Sequence, residues 1–211
     1  MKAAKYIVEF IGAFFLVLTV GMCVIDPGGA GNMAPLAIGS ALMVMVYAGG
    51  HVSGGHYNPA VTLAVTLRGK CDAVDAAPYV IAQVVAAALA AAVVGFLKVG
   101  ENFQPLVVDV MPAMLAEFLF TFALCYVVLH TATAKSNAGN SFYGLAIGFT
   151  VLIGAYSVGS ISGGAFNPAV AVGLGVMGLL KWSDIWIHLA GEAAGAIAAA
   201  VAFKMVVRDQ S

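Results

Sequence analysis

Ser53-Gly54-Gly55-His56-Tyr57-Asn58-Pro59-Ala60 and Ser162-Gly163-Gly164-Ala165-Phe166-Asn167-Pro168-Ala169 are two copies of one eight-residue phrase, 109 positions apart. Each copy follows one very apolar segment and precedes another. A bilayer tolerates irregular, glycine-rich backbone only where it surrounds a polar cavity, and self-similarity at a fixed offset marks a duplicated architecture. The repeat points to a pore.

Composition places the chain in a membrane. Of its 211 residues 62% are hydrophobic and 9% charged, and the mean hydropathy is +1.01, against roughly 25% charged in a soluble domain. About 17 to 25 apolar residues are needed to cross a hydrocarbon core about 30 Å thick as helix. Six segments meet this: 6–25, 34–50, 78–97, 112–130, 142–159 and 185–206. Lys2 and Lys5 ahead of the first run have the look of a signal-peptide start. Glu9 within the run, and the match of Ala116-Glu117-Phe118 to Val8-Glu9-Phe10, argue instead for a retained span.

Short loops rich in Lys and Arg stay cytoplasmic. An N-terminus inside puts Lys2, Lys5, Arg68, Lys70, Lys135, Lys204 and Arg208 on the cytoplasmic side and only Lys98 and Lys181 outside. Both termini are therefore expected in the cytoplasm. Short tails without a targeting sequence fit a prokaryotic inner membrane better than an organelle. A net charge of -1 and no basic run exclude nucleic acid as a partner. Cys23, Cys71 and Cys125, odd in number and without a CxxC, read as buried structural thiols. No metal cluster, Ser-His-Asp set or phosphate loop is present in the sequence, so neither an enzyme nor a cofactor is expected.

The halves align beyond the phrase: Ala37 with Ala146, Gly39 with Gly148, Tyr47 with Tyr156, Ala82 with Gly191, Gln83 with Glu192. Three crossings per half force the second half to enter from the opposite face, so the repeats are inverted and their shared elements meet near the midplane. The chain reads as one domain, 1–211, with halves about 1–100 and 109–211 and a linker at 98–111. Pro59 and Pro168 suit a first helical turn, and Asn58 and Asn167 suit the N-cap before it. The apolar stretches Ala60 to Leu67 and Ala169 to Met177 predict half-helices of about 15 Å, half the hydrocarbon thickness. Meeting at their N-termini, they form a broken seventh span whose centre is electropositive and rich in N–H donors. The glycines turn loop carbonyls toward the lumen. A water held between those carbonyls and the two asparagine amides passes no proton along the file.

Paired Asn-Pro-Ala boxes, Asn58-Pro59-Ala60 and Asn167-Pro168-Ala169, in a duplicated six-span chain resemble the aquaporin, or major intrinsic protein, family. His56-Tyr57-Asn58-Pro59-Ala60-Val61-Thr62 is similar to its most characteristic string. The resemblance covers nearly the whole chain. It implies an all-α right-handed bundle of six tilted helices plus two half-helices, a pore in every protomer, and a homotetramer. It also implies a narrow extracellular filter of four positions, carried over by spacing as Ile38, Ala155, Gly164 and Val170. Most relatives have Arg at the last position and an aromatic or His among the others. Here the four offer no charge, no ring and little volume, and the Asp that glycerol facilitators place after the second box is missing. A wider, less polar constriction follows, similar to a group of plant vacuolar relatives with Val at this position. Water ranks first as the permeant; broad passage of small neutral solutes such as glycerol, urea, ammonia, peroxide and undissociated metalloid acids ranks second.

A charge inside the bilayer costs about 2.5 to 3.5 kcal/mol, so Glu9, Glu117 and Glu192 need a purpose. Glu9 and Glu117 are expected to accept N–H bonds from the two loops, a job the family gives these positions, with His56 bracing the first loop's backbone. His51 reads as a satisfied loop histidine. Glu192, where the family is usually apolar or has Pro, either bonds the second loop or reaches the lumen or a protomer interface and titrates. Small residues at every fourth place, Ala82, Ala86, Ala90 and Gly191, Gly195, Ala199, read as helix-packing seams in membrane lipid. Trp182, Trp186, Tyr79 and Tyr143 fit an interfacial belt, with core packing the competing reading. Thr131 to Ser141 reads as a cytoplasmic loop. Two rivals compete with a channel: an inverted-repeat secondary transporter, which needs acidic or carbonyl sites for a coupling ion, and a non-conducting scaffold, which needs no intact boxes.

Overall fold

The computed structural model describes residues 2–26, 28–99 and 104–207; Arg208, assigned above to the cytoplasmic side, and part of the 98–111 linker lie outside them. Long helices run over Lys2–Val24 (α1), Ala34–Ser53 (α2), Ala73–Leu97 (α4), Val110–Val128 (α5), Tyr143–Ser162 (α6) and Ile185–Val206 (α8). Two nine-residue helices, Pro59–Leu67 (α3) and Pro168–Val176 (α7), follow the repeated phrases. Among the described residues six helical segments are long and apolar enough to span a membrane, and large apolar side chains such as Ile81, Phe96 and Met205 point outward. The chain is a multi-pass membrane protein.

Helix ends follow local chemistry more closely than hydropathy does. α4 starts at Ala73, five residues before the expected 78, because its first turn contains Asp75, which an apolar window leaves out. Asp75 is buried and satisfied there: Tyr6 donates to it at 2.8 Å and Lys5 lies 3.4 Å away. α2 and α6 both run to the phrase's serine, ended by Gly54 and Gly163 at φ 92° and 91°, a left-handed cap that glycine adopts without strain. Beyond α5 the chain does not enter a loop at Thr131 as expected. A π-helical turn covers Leu129–Thr133, and Asn137 and Asn140 cap its loose carbonyls at His130 and Thr131.

The halves interlock. α1 packs on α4 and α5 on α8, the same pairing in each half, while α2 crosses α6 between them. Each half-helix packs on the last span of the opposite half, α3 on α8 and α7 on α4. Small residues set the distances: a Cβ on Gly39 would sit 2.7 Å from the Gly148 carbonyl, and Cβ atoms on Gly191 and Gly195 would sit 2.7 and 2.6 Å from the Met114 and Phe118 carbonyls of α5. Without a hydrophobic drive between helices in lipid, such close approach supplies much of the packing attraction. Trp182 and Trp186 are exposed near the start of α8. Tyr79 is not a belt residue: it is buried, and its hydroxyl donates to the Ser53 carbonyl at 2.7 Å.

Candidate functional site

The repeated phrases meet tip to tip. Asn58 caps α3 by accepting from Ala60 N–H at 2.8 Å and Val61 N–H at 3.4 Å, and Asn167 caps α7 by accepting from Ala169 N–H at 2.9 Å. Their amide nitrogens then cross: Asn58 Nδ2 donates to the Phe166 carbonyl at 2.8 Å, and Asn167 Nδ2 to the Tyr57 carbonyl at 2.9 Å. Each carboxamide has two N–H donors, so the clamp uses one and leaves one. Both asparagines line a cavity of about 390 Å³.

Tyr57 and Phe166 stand at φ 50° and 48°, left-handed for side chains that disfavour it. The turn aims each carbonyl at the opposing asparagine, and a buried carboxylate holds each residue there. Glu9 accepts from Ser53 Oγ (2.6 Å), His56 N–H (3.0 Å), Tyr57 N–H (2.6 Å) and Gln83 Nε2 (2.8 Å). Glu117 repeats the scheme with Ser162 Oγ (2.6 Å), Ala165 N–H (3.1 Å) and Phe166 N–H (2.6 Å). Both are fully buried. The serines opening each phrase, given no role from sequence, thus anchor the loops, and their recurrence in both copies was the available signal.

Behind the loops the halves diverge. Tyr79 and His188 occupy equivalent places and both reach the phrase's serine carbonyl, His188 Nε2 at 2.7 Å from Ser162 O. Gln83 donates to Glu9 and to Thr62 Oγ1; its counterpart Glu192 accepts from Asn167 N–H at 2.8 Å and is fully buried. Glu192 therefore contacts the second loop and does not line the cavity. His56 does not brace backbone with its ring. Nδ1 meets Thr62 Oγ1 at 3.1 Å, and Thr62 in turn donates to the Asn58 carbonyl.

The cavity passes the positions derived by spacing. Ile38, Ala155, Gly164 and Val170 all line it, as do His56 toward one end and Ala34, Pro35 and Gln104 toward the other. His56 and Val128 also line a second cavity of about 540 Å³, bounded by Lys5, His51, Lys70, Cys71, Asp72 and Asp75. The charged groups gather in this vestibule. Cys71 lies outside the spans, and burial holds its thiol above the usual range, hence protonated. Cys125 is buried, while Cys23 and Cys71 are half-buried. No metal-binding group of His, Cys, Asp or Glu occurs among the described residues.

A sequence profile described as Major intrinsic protein matches residues 1–203. The chain belongs to the major intrinsic protein family. Aquaporin NIP1-3 of Oryza sativa subsp. japonica is 38% identical over 97% of this chain and 74% of its own length. Glycerol uptake facilitator protein-like 6 of Lactiplantibacillus plantarum is 35% identical over 93% of this chain and 94% of its own. Among solved structures, the aquaglyceroporin from Plasmodium falciparum superposes with a TM-score of 0.82 at 20% identity, covering 99% of this chain and 98% of that one. That structural likeness establishes the aquaporin fold expected from the boxes. Membership of the major intrinsic protein family favours a passive channel over the coupled transporter.

Proposed function

We propose that the cavity is the permeation path of a passive channel that carries water first and small neutral solutes second, and excludes protons and ions. One observation carries this: two half-helices meet by crossed asparagine bonds beside a lumen that both asparagines line. Each N-terminus brings about half a positive charge and unpaired N–H groups, so a cation meets repulsion where a water meets donors. That exclusion principle is general to aquaporin-type pores; what this chain contributes is the residue set. Ile38, Ala155, Gly164 and Val170 form the filter, and without Arg or an aromatic ring it is wide and weakly polar. Solutes of the size of glycerol or urea fit that description, and a glycerol-uptake-facilitator-like relative agrees with it.

Glu9, Glu117 and, by the same token, Glu192 brace the loops; the bond from Asn167 N–H supports bracing over titration in the lumen. The chain is one domain of two inverted halves, supported by the matching helix pairs and crossed half-helices. The family resemblance supports a homotetramer. Its place is the cell membrane with both termini cytoplasmic, supported by the vestibule's lysines and by a bacterial relative matched over nearly its whole length. Proteoliposomes challenged in turn with osmotic steps of sucrose, glycerol and urea test the reading. Rapid shrinkage in all three, followed by reswelling in glycerol and urea, is expected; no acceleration of shrinkage over empty liposomes contradicts it.

A further inference from the structure

Among the described residues lining the 390 Å³ cavity, only His56, Asn58, Gln104 and Asn167 carry polar side chains. Three of these already bond within the protein, His56 through Nδ1 to Thr62 and the asparagines through their caps and crossed bonds, each asparagine keeping one amide N–H for the lumen. Gln104 is different. It is exposed at the mouth, on the segment that joins the two halves.

That segment is tethered. Leu106 N–H donates to the Leu179 carbonyl at 3.0 Å, and Leu106 pairs with Leu180 as a parallel bridge. In extended backbone, residues two apart share a side, and Gln104 and Leu106 both line the cavity. The Leu106 side chain reaches to 3.8 Å from where a Cβ on Gly163 would lie, next to the filter position Gly164. The tether therefore holds a carboxamide over a constriction whose four side chains offer no hydrogen bond. A solute with several hydroxyl or amide groups sheds more water at such a constriction than a water molecule does, and a desolvated polar group is costly unless it is re-bonded.

We propose that Gln104 is a specificity-determining residue of the outer mouth, whose amide oxygen and N–H groups receive the hydroxyls or amides of small neutral solutes as they dehydrate. This rests on the neutral-solute reading given above. One neutral hydrogen bond lost from the entering solute corresponds to about a fivefold slower passage.

The test compares wild type and Gln104→Leu in proteoliposomes with water, glycerol and urea. The expected result is an approximately fivefold fall for glycerol and urea with water changed less than about twofold. Equal rates for all three, or a uniform fall including water, overturn the role of Gln104 and leave the channel reading standing. A wild type that passes water but neither glycerol nor urea overturns the neutral-solute reading and this proposal together. Placement is checked separately with Gln104→Cys in a Cys23→Ala, Cys71→Ser background and a bulky membrane-impermeant thiol reagent on both faces. Slowed glycerol flux in the cysteine variant alone is expected; no slowing removes Gln104 from the mouth and the proposal with it.

Discussion

Asn58→Asp isolates the electrostatics of the pore centre because it changes little else. The introduced carboxylate still accepts from Ala60 and Val61 N–H, the bonds that cap α3. It cannot donate to the Phe166 carbonyl, now held by Asn58 Nδ2 at 2.8 Å. Leaving that acceptor unmet costs about 1 to 3 kcal/mol, offset by up to about 2 kcal/mol for a carboxylate at a helix N-terminus, so the variant folds. The larger effect is on permeants. A cation roughly 5 Å from two half-charges, at an effective dielectric near 20, is opposed by about 3 kcal/mol, roughly two powers of ten in rate. A full negative charge at about 4 Å attracts it by about 4 kcal/mol and cancels that barrier. Vesicles loaded with a pH-sensitive dye, given an acid pulse and in parallel an osmotic step, are expected to show water flux retained and a proton or sodium leak raised roughly 100-fold. A folded variant that conducts water and stays as proton-tight and sodium-tight as the wild type refutes the reasoning.

Val170→Arg is expected to narrow the filter, reducing glycerol and urea permeation several-fold more than water in stopped-flow light scattering; equal loss of all three removes Val170 from the filter. Glu9→Ala strands four buried donors, from Ser53, His56, Tyr57 and Gln83, at about 1 to 3 kcal/mol each. Loss of folded protein on size-exclusion in detergent is the expected outcome, against near-normal yield if the carboxylate is incidental. Glu192→Gln keeps an acceptor for Asn167 N–H and installs the residue that the first half uses as Gln83, so thermal stability is expected to hold or rise. A drop of more than a few degrees shows that the carboxylate itself is needed. Gly39→Ala drives a Cβ to 2.7 Å from the Gly148 carbonyl and 2.8 Å from Leu152 Cβ, and overpacking of this kind costs about 1 to 3 kcal/mol; an unchanged melting temperature would mean the α2–α6 crossing yields freely.

Much of this architecture was legible because membrane insertion leaves few options. Hydropathy and one repeated phrase led to six spans and two half-helices, and Asn-Pro supplied both starts of the latter. What sequence missed has identifiable causes. The five extra residues of α4 hide behind Asp75, a carboxylate satisfied by Tyr6 and Lys5 some 70 positions away. The left-handed Tyr57 and Phe166 leave no compositional trace, since aromatic residues rarely adopt that region and what holds them there comes from distant positions, a buried carboxylate on another helix and the opposing asparagine. The bond of His56 to Thr62 becomes visible only once α3 is in place. Tyr79 and His188 share a role despite unlike chemistry, and their equivalence rests on position in the repeat alone. Gln104 sits in a linker without a pattern, and its relevance depends on a bridge to Leu180 in the other half.

The temperature dependence of water flow through the reconstituted protein bears most directly on the uncharged conduit between the two half-helices. A continuous wet path predicts an activation energy close to that of water diffusing in bulk, unaffected by ion gradients. An activation energy as steep as that of protein-free lipid, or a flow that follows an imposed sodium or proton gradient, contradicts it.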